Sequence, residues 1–149
     1  MSNLDRAIIL ATRAHSGQVD RAGQPYILHP LRVMLKMNAE EARIVAVLHD
    51  VLEDTEVTAH DLAAEGFSEE IIEAVQAMSR REEEDYEAFI QRAKQNSIAR
   101  TVKMADIEDN MDPSRNMEPS EKDMERLSKY GRALDELMTE TQESHGMME

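Results

Sequence analysis

Apolar residues recur every three or four positions along almost the whole chain, and strict apolar–polar alternation is scarce, so the pattern predicts helices rather than strands. Leu4, Ala7, Ile8, Ala11 and Ala14 line one face of a first helix expected to end near Ser16-Gly17. Gly17, Gly23 and Pro25 mark the following stretch as a loop. Pro30 fits the first turn of a second helix carrying Leu31, Met34 and Leu35, because the first N–H groups of a helix have no partner there and proline has none to lose. Asn38 and Glu41 have the spacing of a reciprocal N-terminal cap, opening a third helix through Ile44, Val45, Val47 and Leu48 that is expected to run into His49-Asp50.

Thr58 and Ser68 are predicted N-caps for two further helices, the first closed by Gly66. Asp85 caps another through Tyr86, Phe89 and Ile90, and Ile98 to Met111 form the next, stopped by Pro113. Ser120 caps a last, long helix with Met124, Leu127, Tyr130, Leu134 and Leu137 on one side. No internal repeat or low-complexity linker interrupts the series. The expectation is one compact, all-α, multi-helix domain over residues 1–141, with a Met-, Gln-, Glu- and Ser-rich tail at 142–149 that frays. A length of 149 residues agrees with a single domain. Aromatics make up 3 % and tryptophan is absent, so the core must be built from Leu, Ile, Val, Ala and Met. Met34, Met37, Met104 and Met124 fall at helical spacing and are expected to fill it.

Charge narrows the partners. Thirty-one acidic against seventeen basic residues give a formal net charge of −14, a field that repels a nucleic-acid polymer or an anionic membrane surface. A small phosphorylated ligand remains compatible, since one metal ion and a few Lys or Arg reverse the potential locally. With no cysteine, disulfides, thiolate metal sites and cysteine nucleophiles are excluded, and any metal must be held by His and carboxylates. The longest apolar stretches, such as Ile44 to Leu48, reach about a quarter of the roughly 20 residues that span a bilayer. The first residues, MSNLDRAIILATRAH, do not resemble a secretory signal, so a cytoplasmic location is expected.

The segment His49-Asp50-Val51-Leu52-Glu53-Asp54-Thr55 crowds four polar groups at a helix end directly after a run that must be buried. On a continuous helix His49 would stack with Glu53 and Asp50 with Asp54. Imidazole nitrogen with carboxylate oxygen suits a borderline divalent ion and leaves positions for water. The plainer alternative is a solvated helix end, with His49 capping carbonyls. His29, just before Pro30, can point inward from a helix start, and Asp106 lies in an otherwise apolar helical stretch where an unpaired carboxylate is costly. His15 is expected to satisfy a helix C-terminus or to pack, and His60 and His145 to be exposed. Tyr26 can stack on a base or cover the core. The run from Arg80 to Asp85 reads as a solvated loop whose two arginines can approach a phosphate.

His29, His49-Asp50 and Asp106 stand in the order His…His-Asp…Asp of HD-domain metal phosphohydrolases. Residues Arg21 to Pro30, RAGQPYILHP, then HDVLEDT, then VKMADIEDNM more closely resemble the hydrolase domain of RelA/SpoT homologues, small alarmone hydrolase type. The resemblance spans roughly residues 3–137. It implies one manganese ion held by His29, His49, Asp50 and Asp106, and hydrolysis of the 3′-pyrophosphate of ppGpp or pppGpp to GDP or GTP plus pyrophosphate. It further implies that Glu53 and Asp54 handle the attacking water, and that Arg21, Lys103 and Asn110 face the nucleotide. Ile107 and Asp109 stand where the family usually has Arg and His, and Asp109 is expected to add negative charge near the anion. Two other readings remain: a phosphohydrolase of another small nucleotide, and a non-catalytic metal- and nucleotide-binding module.

Overall fold

The computed structural model describes residues 3–112 and 120–139. Among them are nine helices and no strand: α1 (Leu4–Ala14), α2 (Leu28–Leu35), α3 (Glu40–Leu48), α4 (Val51–Asp54), α5 (Ala59–Ala64), α6 (Glu69–Ala77), α7 (Tyr86–Lys94), α8 (Ser97–Asn110) and α9 (Glu121–Met138). The protein is all-α, as its periodicity requires. Side-chain caps fix most of the starts: Thr58, Ser68, Asp85 and Ser120 accept first-turn N–H groups as expected, and Asn3 and Asn96 do the same. Gly66 ends the α5 segment with φ +94°, a backbone conformation that costs other residues a Cβ clash. Pro113, His145 and the 142–149 tail lie outside the described residues.

The α3 helix departs from the expectation at both ends. Its N-cap is Ala39, with no side-chain cap, so the Asn38–Glu41 box does not form. The helix starts one residue later than that box requires, and Glu40 and Glu41 instead complement the positive end of the helix dipole. What holds α3 is burial: Ile44 to Leu48 are buried in succession, so the helix is enclosed all round by α1, α2, α6 and α8. At its other end it stops at Leu48 and does not continue through His49-Asp50. The His49 ring Nδ1 donates to the Ala46 carbonyl at 2.6 Å, while the His49 backbone N–H reaches that same oxygen at 3.4 Å. A side chain competing for a helical carbonyl breaks the ladder. Helix resumes only in α4, tied back by Asp54 N–H to the Asp50 carbonyl at 2.9 Å.

Two apolar clusters result. The larger surrounds α3 and includes Val33, Leu48, Val51, Leu62, Phe67 and Val102. The smaller joins α7, α8 and α9 through Ile90, Ile107, Ala133 and Leu137. Met34 and Met37 are buried and Met104 packs on the smaller cluster, but Met124 is 57 % exposed. That departure has a simple cause: α9 meets the smaller core only from Tyr130 onward, leaving its first turns to solvent. No helix among the described residues is long and apolar enough to cross a membrane.

The loop from Arg80 to Asp85 is more than a solvated link. Arg92 on α7 grips Glu84 through Nε and Nη2, both at 2.8 Å, and also donates to the Ser79 carbonyl at 2.7 Å. This guanidinium holds the Glu84 carboxyl down at about 2. A depressed carboxylate stabilises the fold above its ordinary pKa of 4.5 and loses that contribution as pH falls through about 2. Glu84→Gln is therefore expected to lower Tm at neutral pH and to converge with the unaltered chain near pH 2. Thermal melts of the two proteins that differ equally at every pH would contradict this.

Candidate metal centre

Three separate helical regions bring His29, His49, Asp50 and Asp106 together. α2 carries His29 in its first turn, the α3–α4 break carries His49 and Asp50, and α8 carries Asp106. Donor atoms of His29, His49 and Asp50 lie within 4.8 Å of one another. Asp106 Oδ1 is 2.8 Å from His29 Nε2 and 3.2 Å from His49 Nε2, and Asp50 Oδ2 is 3.0 Å from His49 Nε2. Both imidazoles and Asp106 are buried, and Asp50 is nearly so. The helix break is what makes this possible, because it turns His49 inward while Glu53 and Asp54 stay on the solvent side. The expected stacking of His49 on Glu53 along one continuous helix is thereby corrected.

The protonation pattern tests whether a cation fits. A carbonyl can only accept, so the 2.6 Å contact to Ala46 places the His49 proton on Nδ1. Nε2 then presents a lone pair toward two carboxylates, and it has no hydrogen-bond partner. A buried lone pair facing two anions is relieved by a cation between them or by a second proton on the ring. Burial opposes that proton, yet the charges of Asp50 and Asp106 outweigh it and raise the His49 pKa well above the usual value. Two imidazole nitrogens and two carboxylates are a donor set for a borderline divalent ion. The residues present fit such an ion in the place the extra proton would take.

Around this cluster, Lys103 Nζ donates to Asp106 Oδ2 at 2.9 Å and sits 4.9 Å over the Phe89 ring. Burial disfavours its charge, but the Asp106 carboxylate prevails and keeps the ammonium protonated. Asn110 Nδ2 donates to Asp106 Oδ1 at 3.3 Å. Sequence reasoning offered Tyr26 as a base platform or a core cover; its hydroxyl instead donates to Asp50 Oδ2. Glu53 and Asp54 have raised pKa values, through partial burial first and the nearby Asp50 charge second. Gln18 holds the end of α4 in place: Nε2 donates to the Asp54 carbonyl at 3.1 Å, and Oε1 accepts from His15 Nδ1 at 2.9 Å. His15 is thus buried at the C-cap of α1, as expected, and His60 is exposed.

Two expectations change. Asp109 does not project its charge toward a bound anion, because its buried carboxylate accepts from His29 Nδ1 at 2.6 Å and from Arg32 Nε at 2.8 Å and Nη2 at 3.1 Å. Burial raises its pKa, but these bonds more than offset that and hold it far below the carboxylate range. Arg21 does not offer a free guanidinium either, since it pairs with Asp123 in the first turn of α9. Sequence reasoning missed Arg32 entirely. The spacing Asp106, Asp109, Asn110 was the available signal for Asp109, because residues three and four apart share a helix face.

The profile of the family described as HD domain matches residues 7–110, which is more than two thirds of the chain and includes all four clustered residues. The chain belongs to the HD domain family. Within this HD domain, 81 residues are 38 % identical to guanosine-3′,5′-bis(diphosphate) 3′-pyrophosphohydrolase of Vibrio cholerae, covering 52 % of this chain and 11 % of that protein. Over 84 residues it is 36 % identical to the bifunctional (p)ppGpp synthase/hydrolase SpoT of Escherichia coli, covering 54 % of this chain and 12 % of that protein. The HD domain thus matches only about a ninth of the length of these curated relatives. Its fold resembles the solved structure described as a metazoan ortholog of SpoT that hydrolyses ppGpp, with TM-score 0.73, 18 % identity, and coverage of 93 % of this chain and 86 % of that one.

Proposed function

We propose that this HD domain is a manganese-dependent pyrophosphohydrolase that removes the 3′-pyrophosphate of guanosine tetra- or pentaphosphate, giving GDP or GTP and pyrophosphate. The observation that carries the metal reading is the unpartnered His49 Nε2, aimed between two carboxylates beside His29. The names of the relatives over half the chain support the substrate.

His29, His49, Asp50 and Asp106 would hold the ion. When bound, it supplies Lewis acidity and lowers the pKa of water. Tyr26 and Lys103 keep the ligand carboxylates ionised and aimed, each by donating to one of them. Glu53 and Asp54, on the solvent side, take the proton of the attacking water, and their raised pKa values make them better proton acceptors. Oxygen of that water bonds to the phosphorus carried by the ribose 3′ oxygen, the old P–O bond breaks, and the 3′ oxygen leaves with a proton as a hydroxyl. Asn110 would stand at the nucleotide, and Arg21 would reach it only by giving up its pairing with Asp123. Further cations gather nearby: burial first, then Arg80, Arg126 and Lys103, lower the pKa of Lys129. In a chain of net charge −14 such a concentration favours a polyphosphate ligand. A pure binding module has no use for the Glu53–Asp54 pair beside the ligand set.

Incubation with manganese and ppGpp, pppGpp, their adenine counterparts or GTP, followed by phosphorus NMR of the products, tests this. GDP and pyrophosphate from ppGpp are expected. Orthophosphate release, or faster attack on GTP than on ppGpp, would overturn the substrate assignment.

A further inference from the structure

We propose that Asp109 is a positioning residue for the metal centre: its carboxylate fixes His29 in the tautomer that presents Nε2 to the ion. The proposal rests on the metal reading above and concerns how one ligand is prepared for it.

The argument begins with the two imidazoles. Each has one nitrogen in the cluster and one turned away, and whatever the outer nitrogen touches decides which one carries the proton. For His49 the outer partner is the Ala46 carbonyl, a neutral group of its own helix. For His29 it is Asp109 Oδ2 at 2.6 Å, a full negative charge delivered from α8, 80 residues away in the chain. An ionised carboxylate can only accept, so His29 Nδ1 must donate to Asp109 with or without an ion, and the proton that Nε2 shares with Asp106 at 2.8 Å is the one an ion would displace to find the lone pair. The charge also makes the ring a stronger electron donor than a carbonyl partner does.

Arg32 completes the device. It stands three residues after His29 on the same face of α2, and its Nε and Nη2 take the two Asp109 oxygens at 2.8 and 3.1 Å. A two-point contact of this kind fixes the plane of the carboxylate and neutralises it locally. Asp109 is 3 % exposed, so water does not compete for it, whereas Arg32 reaches solvent and its own desolvation cost is small. One helix thus supplies both the ligand and the cation that disciplines the ligand's partner. The neighbouring Asp106, one turn earlier on α8, faces the opposite nitrogen of the same ring at 2.8 Å. His29 is held from both sides by a single face of α8.

Manganese titration of the ion-free protein, read by the electron paramagnetic resonance of free Mn2+, tests the proposal with Asp109→Ala, Asp109→Asn and His29→Ala alongside the unaltered chain. Loss of an outer partner of a metal-bound histidine costs roughly 10- to 100-fold in affinity. That loss is expected for Asp109→Ala, and a smaller one for Asp109→Asn, whose amide oxygen still accepts from Nδ1. The asparagine variant also serves if the alanine variant fails to fold. His29→Ala should lose the site. A lowered ion-free Tm in Asp109→Ala with unchanged manganese affinity would mean a structural role only and would overturn the proposal while leaving the metal centre intact. Unchanged affinity in His29→Ala would overturn the metal reading itself.

Discussion

Alanine at His49 or at Asp106 is expected to abolish divalent-ion binding and turnover together, with different consequences for the ion-free protein. Each variant removes one of the four proposed donors. The two differ in what they leave behind. Asp106 accepts from Lys103 and Asn110 and faces both imidazoles, so its removal strands a buried ammonium. Breaking a buried ion pair from one side costs about 3–5 kcal/mol, and Asp106→Ala should melt much earlier even without metal. His49→Ala removes the ring's packing and its bond to Ala46 and leaves the Asp50 and Asp106 carboxylates without the imidazole between them, so it strands two buried anions rather than a cation. Adding manganese is expected to raise Tm of the unaltered protein by mass action and to raise that of neither variant. Elemental analysis showing full occupancy in both variants would refute the ligand assignment.

Glu53→Gln and Asp54→Asn are expected to separate holding the ion from using it. Both keep side-chain shape and hydrogen-bonding reach while losing the proton acceptor. Neither carboxylate belongs to the cluster of His29, His49 and Asp50 or to Asp106 beside it, so metal content should stay near normal while turnover falls by roughly 100-fold or more. The raised pKa values give this a pH signature. Glu53 and Asp54 must be ionised to act, so activity of the unaltered protein should fall on acidification at a pH above that of ordinary carboxylates. Wild-type rates in both variants would reduce the acidic pair to a solvated helix end and remove the proposed mechanism.

Helix existence was legible in the sequence wherever periodicity and a capping side chain agreed. Thr58, Ser68, Asp85 and Ser120 each mark a real start, because a cap is a local bond between near neighbours. The α3 boundaries were not legible, because they answer to tertiary demands. Its exposed first turn has no side-chain cap and is carried by the burial of Ile44 to Leu48 further along, and the inward turn of His49 ends the helix where propensity would have continued. The grouping of His29, His49, Asp50 and Asp106 followed from resemblance, since no local spacing joins position 29 to position 106. Asp109 shows the limit most clearly. From sequence it was a stray negative charge; only the fold shows that α2 places His29 and Arg32 on it.

The clustered donors lie far apart along the chain, His29 and Asp106 being separated by 77 positions. A chain without cysteine has no covalent staple, and an ion gripping α2, the α3–α4 break and α8 acts as a reversible one. Closing a loop of that length with a cross-link is worth about 4 kcal/mol in the chain-entropy view. A bound ion would thereby also tether the fold, and chelation should first loosen the seam where α2 and α8 meet α3 while the smaller α7–α8–α9 cluster, which contains none of the four proposed ligands, stays packed. Metal availability in the cell would then set how long the protein survives as well as how fast it works.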